Sequence, residues 1–383
     1  MVEKYKSNAS FNRARFTRLL LKTAIRGLLR WRPLADPKPG YTVIIGCNSG
    51  LATMLKANLR MLAMQDRSNL DKIIIVFDAP KDKIAVPIED YARHTFPELP
   101  LEFRYYTQWQ YEVTRSISWG WVYAWLSWCT GIANVRTRYA LLHDFDALLI
   151  RGDILEERYQ KILAERVEYL GVRYYEGAGV TADDKLAVTF ELMFDAAFVR
   201  SRFRPIELFN HPTRFKGRRV EFDTFLSAQS QAGTASIHPI DEDSMVHPTQ
   251  MICQFTDFMN RRNYTPPLET TLPMIPYFCH LAGDSTLLLS ISGSFSRASD
   301  GVVEFWGRPL SLGRLNPDMA AWLKKQAYRL ELALTGDVRP EVSRYFEGIE
   351  ALARGRQLLQ ARPARAMANH AESKTEDRRT VIE

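Results

Sequence analysis

The stretch Tyr139-Ala140-Leu141-Leu142-His143-Asp144-Phe145-Asp146-Ala147-Leu148-Leu149-Ile150 decides how this chain is read. It is an apolar, strand-like run carrying two carboxylates one residue apart. In extended backbone the side chains alternate sides, so Asp144 and Asp146 are expected to point the same way. Adjacent carboxylates repel unless a cation lies between them. A hard divalent ion fills that role, and its spare coordination positions take substrate phosphate oxygens. A strand running into such a pair sets it at the carboxyl edge of a sheet, where open α/β proteins bind ligands. An isolated Asp-x-Asp is common in turns; its place after an apolar strand gives it weight.

Outward from this stretch the pattern is α/β. Residues 41–47 read as a buried strand, Asn48-Ser49-Gly50 as a turn and helix cap, and 51–64 as a helix. A second strand over 72–77 ends at Asp78, completing a parallel, right-handed βαβ unit. A third strand is expected at 101–106, then a Trp- and Tyr-rich helix at 116–132, read as core packing in preference to a stacking surface. Beyond the acidic pair come a helix (154–165), a strand (168–172), a Gly/Asp loop (177–184), an apolar stretch (190–199) and a basic loop (210–219). A helix over 221–232, stopped by Gly233, precedes a strand at 234–240. Residues 241–264 are polar and irregular with a helix at their centre, Asp241-Glu242-Asp243 reading as a solvated acidic turn. Helices over 317–335 and 340–359 close the pattern.

The 383 residues, 46% apolar and 25% charged, have the composition of a soluble globular protein with room for two domains. Cys47, Cys129, Cys253 and Cys279 are scattered, which argues against a zinc site or disulfide framework and suits a reducing cytoplasm. There is no run of 18 apolar residues and no secretory signal pattern. The net charge is +7, but residues 1–40 hold ten Lys/Arg against two Asp/Glu, so the rest of the chain carries −1. A nucleic-acid-binding body is therefore disfavoured.

In that leader, Arg15, Arg18, Lys22, Arg26 and Arg30 recur on one helical face. Phe16, Leu20, Leu21, Ala24, Leu28 and Trp31 fall largely on the other, with Leu19 and Leu29 breaking the separation. Two readings stand: residues 13–31 lie on an anionic membrane surface, peripheral at its inner face, or they dock on the protein body with the basic face in solvent. Pro33, Pro37, Pro39 and Gly40 end the helix.

In order, these pieces resemble a GT-A fold glycosyltransferase, most of all the inverting family 2 members, over roughly residues 41–290. The carriers are the first strand with Cys47-Asn48, the second strand ending at Asp78, His143-Asp144-Phe145-Asp146, the Phe194-Asp195 strand end, Glu221-Phe222-Asp223, and Cys279-His280-Leu281-Ala282-Gly283-Asp284-Ser285 as a late His-containing loop. The resemblance implies a Rossmann-type, mixed but mainly parallel sheet flanked by helices. The domain plan is a basic leader and linker (1–40), the transferase domain (41–290), a helical extension (291–360) and a disordered tail (361–383).

It also implies a chemistry. A bound Mn²⁺ or Mg²⁺ stabilises the departing diphosphate of a UDP-, GDP- or dTDP-sugar, and a carboxylate takes the proton of a glycan or lipid-linked acceptor hydroxyl. Asp144, Asp146 and His280 are assigned to the metal, and Asn48, Asp78 and Asp144 to the nucleotide sugar. Asp223, with Glu221 as alternative, is assigned as the base, which implies inversion. The acidic motif is Glu-x-Asp, not adjacent Glu-Asp, which leaves the choice of base open. His247 is a weaker ligand candidate. Arg218 and Arg219 read as solvated more than phosphate-binding.

Two rivals remain. His143-Asp144-Phe145-Asp146 also looks like the nucleophile motif of haloacid-dehalogenase-type phosphatases, with Asp183-Asp184 posing as the later acidic pair, although a full βαβ unit precedes it and Ala147-Leu148 replace the usual Gly-Thr. A non-catalytic nucleotide-sugar-binding relative is the other.

Overall fold

The computed structural model describes residues 3–241, 244–298 and 300–355. Two compact units divide at His247/Pro248, where the sequence reading drew its boundary at 290. Glu242 and Asp243 of the acidic turn, and the tail from 361, lie outside the described residues.

The first unit opens with helix α1 (Asn8–Ile25), capped by Ser7. Strand β1 (Lys38–Cys47), α2 (Leu55–Ala63) and β2 (Leu70–Phe77) form the expected βαβ unit, followed by α3 (Ile88–Thr95) and β3 (Leu101–Tyr105). The aromatic segment is two helices, α4 (Gln108–Ile117) and α5 (Gly120–Asn134), because Ser118 turns left-handed at φ 49° and stops the first. Then come β4 (Thr137–His143), β5 (Leu148–Leu149), α6 (Ile154–Glu165), β6 (Tyr169–Gly171), β7 (Glu191–Asp195) and α7 (Ala196–Arg202). The unit closes with β8 (His211–Phe215), β9 (Arg218–Phe222), α8 (Leu226–Gln231), β10 (Ala235–Ile237) and β11 (Met245–Val246).

Seven strands make the central sheet in the order β10-β6-β7-β4-β1-β2-β3. β3, β2, β1 and β4 pair in parallel; β7 runs antiparallel between β4 and β6. The α/β class and the mixed, mainly parallel sheet are therefore as expected. The register aligns Cys47 with Phe77 and Phe77 with Tyr105. Asp78 and Asp144, each directly following its strand, thus emerge at the same edge.

Helix α5 covers β1 and β2 and supplies core through Trp125, Leu126, Cys129 and Ile132, as expected of the aromatic segment. It approaches closely at Gly131, where an added Cβ would meet Ile44 Cγ2 at 2.3 Å. Ile44 is fully buried in the central strand and has no room to yield. Gly131→Ala is accordingly expected to destabilise the first unit by about 1–3 kcal/mol despite its better helix propensity; a melting temperature at or above that of the unchanged chain would contradict this packing.

Three elements differ from expectation. The basic loop 210–219 is instead a hairpin, β8 with β9, turning at Lys216-Gly217, both at positive φ (48° and 78°) as a tight two-residue turn requires. Glu221 lies within that hairpin, one residue before its end at Phe222, and does not open a helix; α8 begins only at Leu226. The leader is docked with its basic face divided: Arg15, Arg26 and Arg30 are exposed, whereas Arg18 and Lys22 are partly buried. Phe11 and Ile25 are buried on the body, and Arg18 turns inward, its guanidinium 3.8 Å from the Trp119 ring centre and 2.5 Å from Glu221 Oε1. The aromatic faces and the carboxylate hold the cation, while Phe16, Leu19 and Leu20 point to solvent.

The second unit contains α9 (Met251–Asn260), α10 (Met274–Leu281), α11 (Thr286–Ser294), the hairpin β12 (Val302–Phe305) with β13 (Arg308–Ser311), α12 (Pro317–Thr335) and a helix over 340–355. The region 291–360 is thus not wholly helical. Among the described residues no helix is long and apolar enough to cross a membrane.

Candidate active site

The acidic pair sits in a turn, not in extended strand. β4 ends at His143, and Ala147 N–H bonds back to Asp144 O at 2.9 Å. Asp144 and Asp146 meet because the turn folds them together; strand alternation is not the cause. Asn58 on α2 sets the turn from beneath, its amide nitrogen donating to the carbonyls of Phe145 (3.2 Å) and Ala147 (2.9 Å). The same nitrogen lies 3.1 Å from His143 Nε2, and His143 Nδ1 lies 2.7 Å from Glu191 Oε2. Asn58, His143 and Glu191 are wholly buried, so the floor of the turn is a polar network with a fixed arrangement.

The third member is His247. β11 pairs antiparallel with β5, Val246 opposite Leu148, which brings the next residue back over the turn. His247 Nε2 lies 3.5 Å from Asp144 Oδ2 and 3.7 Å from Asp146 Oδ1, its ring stacked on Phe190 at 4.2 Å. One donor atom from each of Asp144, Asp146 and His247 falls within 4.8 Å of the others. Two carboxylate oxygens and one imidazole nitrogen suit a hard-to-borderline divalent ion such as Mn²⁺ or Mg²⁺.

The late histidine, His280, is set in different surroundings. It lies on α10 of the second unit, a buried helix and not the loop expected, with Nδ1 2.8 Å from Ser285 Oγ and Nε2 3.8 Å from Glu341. The imidazole beside the acidic pair is that of His247, in Val246-His247-Pro248. His247 read only as a weaker candidate because the apolar pair Met245-Val246 before it is too brief to read as a strand.

Burial pushes the Asp146 carboxyl up to about 7, against the pull of His247 and with the Asp144 charge adding to the rise. Burial depresses His247, but its hydrogen bond to Asp144 and the charges of Asp146, Asp144 and Glu191 outweigh that and raise it. The sign is then fixed. Because the folded value for Asp146 exceeds the unfolded one, the ion-free fold loses stability at this residue as pH rises from about 4 to 7. A cation must displace that proton to bind. Mn²⁺ affinity should weaken about tenfold for each pH unit below 7. Mn²⁺-induced thermal shifts compared at pH 5.5 and pH 8 check this; equal shifts at both would contradict it.

Asp223 lies in the bend after β9, its Oδ1 accepting from Thr224 N–H at 2.7 Å. Burial raises it to about 6, and the charges of Asp144 and Glu221 add to the rise. The Asp144 charge therefore acts on it. Glu221 is differently placed: Oε1 accepts from Arg18 and Oε2 from the Tyr5 hydroxyl at 2.9 Å, closing both oxygens with the leader. Asp78 accepts from Ser49 N–H at 2.7 Å, and burial raises its carboxyl above the usual range. Asn48 caps the following turn through Gly50 N–H at 3.0 Å.

The basic residues singled out by sequence are engaged elsewhere. Arg218 pairs with Asp184, and Arg219 with Glu3. The Asp184 pairing also removes one member of the acidic pair that a phosphatase reading requires.

Neither a family model nor a curated protein sequence matches the chain. Among solved structures, 66 chains match it. S. aureus TarS (residues 1–349) aligns over 82% of this chain and 92% of its own, at 12% identity and TM-score 0.35. The mannosyltransferase PcManGT from Pyrobaculum calidifontis, solved with GDP-Man and Mn²⁺, aligns over 91% and 97%, at 15% identity and TM-score 0.39. The S. cerevisiae mannosyltransferase Ktr4p, solved with GDP, aligns over 52% and 71%, at 10% identity and TM-score 0.28. At this distance no ligand or residue role passes from those proteins to this one.

Proposed function

We propose that this protein transfers a sugar from a nucleoside-diphosphate sugar to an acceptor hydroxyl. The observation that carries the reading is the convergence of Asp144, Asp146 and His247 at the carboxyl edge of the sheet, with Asp223 titrating in the field of Asp144. Asp144, Asp146 and His247 would hold a divalent cation, Mn²⁺ or Mg²⁺. When bound, that ion supplies Lewis-acid stabilisation of the charge growing on the leaving diphosphate. Asp78 and Asn48, at the ends of neighbouring strands, frame the nucleoside side. Asp223 accepts the acceptor's proton. With a value of about 6 it is ionised at neutral pH yet basic enough to pull, which suits a general base. Such a base implies inversion at the anomeric carbon. The acceptor class is a glycan or lipid-linked hydroxyl. Glu221, closed by Arg18 and Tyr5, positions the bend and is not the base.

A thermal-shift series with UDP, GDP, dTDP and CMP, each with and without Mn²⁺, tests the reading. One diphosphate should raise the melting temperature, and only in the presence of the ion. Stabilisation by nucleotides indifferent to the ion, or by none of them, overturns it.

A further inference from the structure

Helix α1 has two working faces, and the mechanism uses only the inner one. Phe11, Arg18 and Ile25 face the body. On the opposite side Phe16, Leu19 and Leu20 stand 63%, 62% and 55% exposed. At 3.6 residues per turn these three fall within an arc of about 100°. The exposed Arg15 and Arg26 line one border of that arc and the exposed Arg13 the other, with the exposed Arg30 just beyond the helix. No acidic residue occurs between residues 4 and 35. A single exposed leucine is unremarkable, but three clustered large apolar groups rimmed by unopposed cations are a surface with a partner.

From this arrangement we infer that the outer face of α1 seats the protein on an anionic lipid bilayer, with Phe16, Leu19 and Leu20 entering the headgroup boundary and Arg13, Arg15, Arg26 and Arg30 meeting lipid phosphates. The partner follows from charge complementarity. A neutral protein groove would satisfy the apolar residues but leave four arginines without counter-charge, and a second copy of the same face would oppose cation to cation. An anionic bilayer satisfies both parts at once. The seating differs from the one the sequence pattern suggested, because Arg18 and Lys22, counted there with the lipid-facing cations, are turned in. It is also independent of the transfer reaction.

The test is co-sedimentation of the full chain with phosphatidylcholine vesicles containing about 30% phosphatidylglycerol, against pure phosphatidylcholine. Partition should occur on the anionic vesicles alone and collapse in high salt. Arg13→Gln/Arg15→Gln/Arg26→Gln should weaken it about a hundredfold, at roughly fivefold per surface arginine. Phe16→Ser/Leu19→Ser/Leu20→Ser should abolish it while leaving the melting temperature nearly unchanged, since these side chains lie on the surface. The Asp146→Asn variant should sediment like the unchanged chain, so failure here and failure of the transferase reading are separable. Equal sedimentation of the triple serine variant overturns the inference. So does a chain that ignores anionic vesicles, including one that light scattering shows to be a dimer dissolved by the serine substitutions.

Discussion

Asp146→Asn is expected to lower transfer from a nucleotide sugar by about a thousandfold or more, a loss of roughly 4 kcal/mol of transition-state stabilisation. It should also erase the Mn²⁺ dependence of diphosphate binding. The reasoning runs through burial. Asp146 is 3% exposed and its carboxyl is pushed up to about 7, so in the ion-free protein at pH 8 it is a charge held against its preference. An amide of the same shape removes that charge. The variant should therefore melt at or above the temperature of the ion-free unchanged chain at pH 8, while the chain loaded with Mn²⁺ melts higher than either. Loss of activity with gain of ion-free stability is a signature that simple misfolding cannot imitate. A variant that keeps full Mn²⁺-dependent binding would remove Asp146 from the site. His247→Ala should weaken Mn²⁺ binding in the same direction, whereas His280→Ala should leave it intact.

The second large effect belongs to the base. Asp223→Asn is expected to reduce kcat by about 10²–10⁴-fold with little change in KM, because the group acts on the proton as it leaves and not on the bound ground state. At Mn²⁺ concentrations that keep the site loaded across the range, kcat/KM of the unchanged chain should fall on the acid side of about 6, with unit slope, as Asp223 takes up its own proton. Glu221→Gln should behave differently. Its pair with Arg18 is nearly buried, with side-chain exposures of 8% and 14%, and leaving one member of such a pair unopposed costs about 3–5 kcal/mol. The expected result is a lowered melting temperature with the acid limb retained. An Asp223→Asn enzyme with near-normal kcat, beside a folded but inactive Glu221→Gln, would exchange the two assignments.

Much of this site could be seen in the chain itself because its donors sit next to strong periodic signals. Asp78 and Asp144 follow long apolar strands, whose buried runs are hard to mistake for anything else. The reason Asp144 and Asp146 converge could not be read that way, since it depends on Asn58 reaching across from α2 to hold a turn. His247 ranked only as a weaker candidate for a related cause: its position is fixed by a two-residue pairing with β5, far below the length at which alternation becomes visible. The hairpin over 211–222 was hidden by its charges, which look like solvated loop until Asp184 and Glu3 are found opposite Arg218 and Arg219. The leader shows the limit of a helical wheel. Spacing separated its residues into two faces, but which face turned inward was decided by Trp119 and Glu221, more than a hundred positions away.

That distance orders events during synthesis. Arg18 precedes Glu221 by 203 residues, so at about 5–20 residues per second the first helix leaves the ribosome some 10–40 s before its carboxylate exists. Through that interval Arg18 has no carboxylate opposite it, although the core partners of Ile25 in β1, β2 and α5 are made before it ends. A helix of 18 residues is marginal on its own, so α1 reaches its full set of contacts only when the β8–β9 hairpin emerges to meet it.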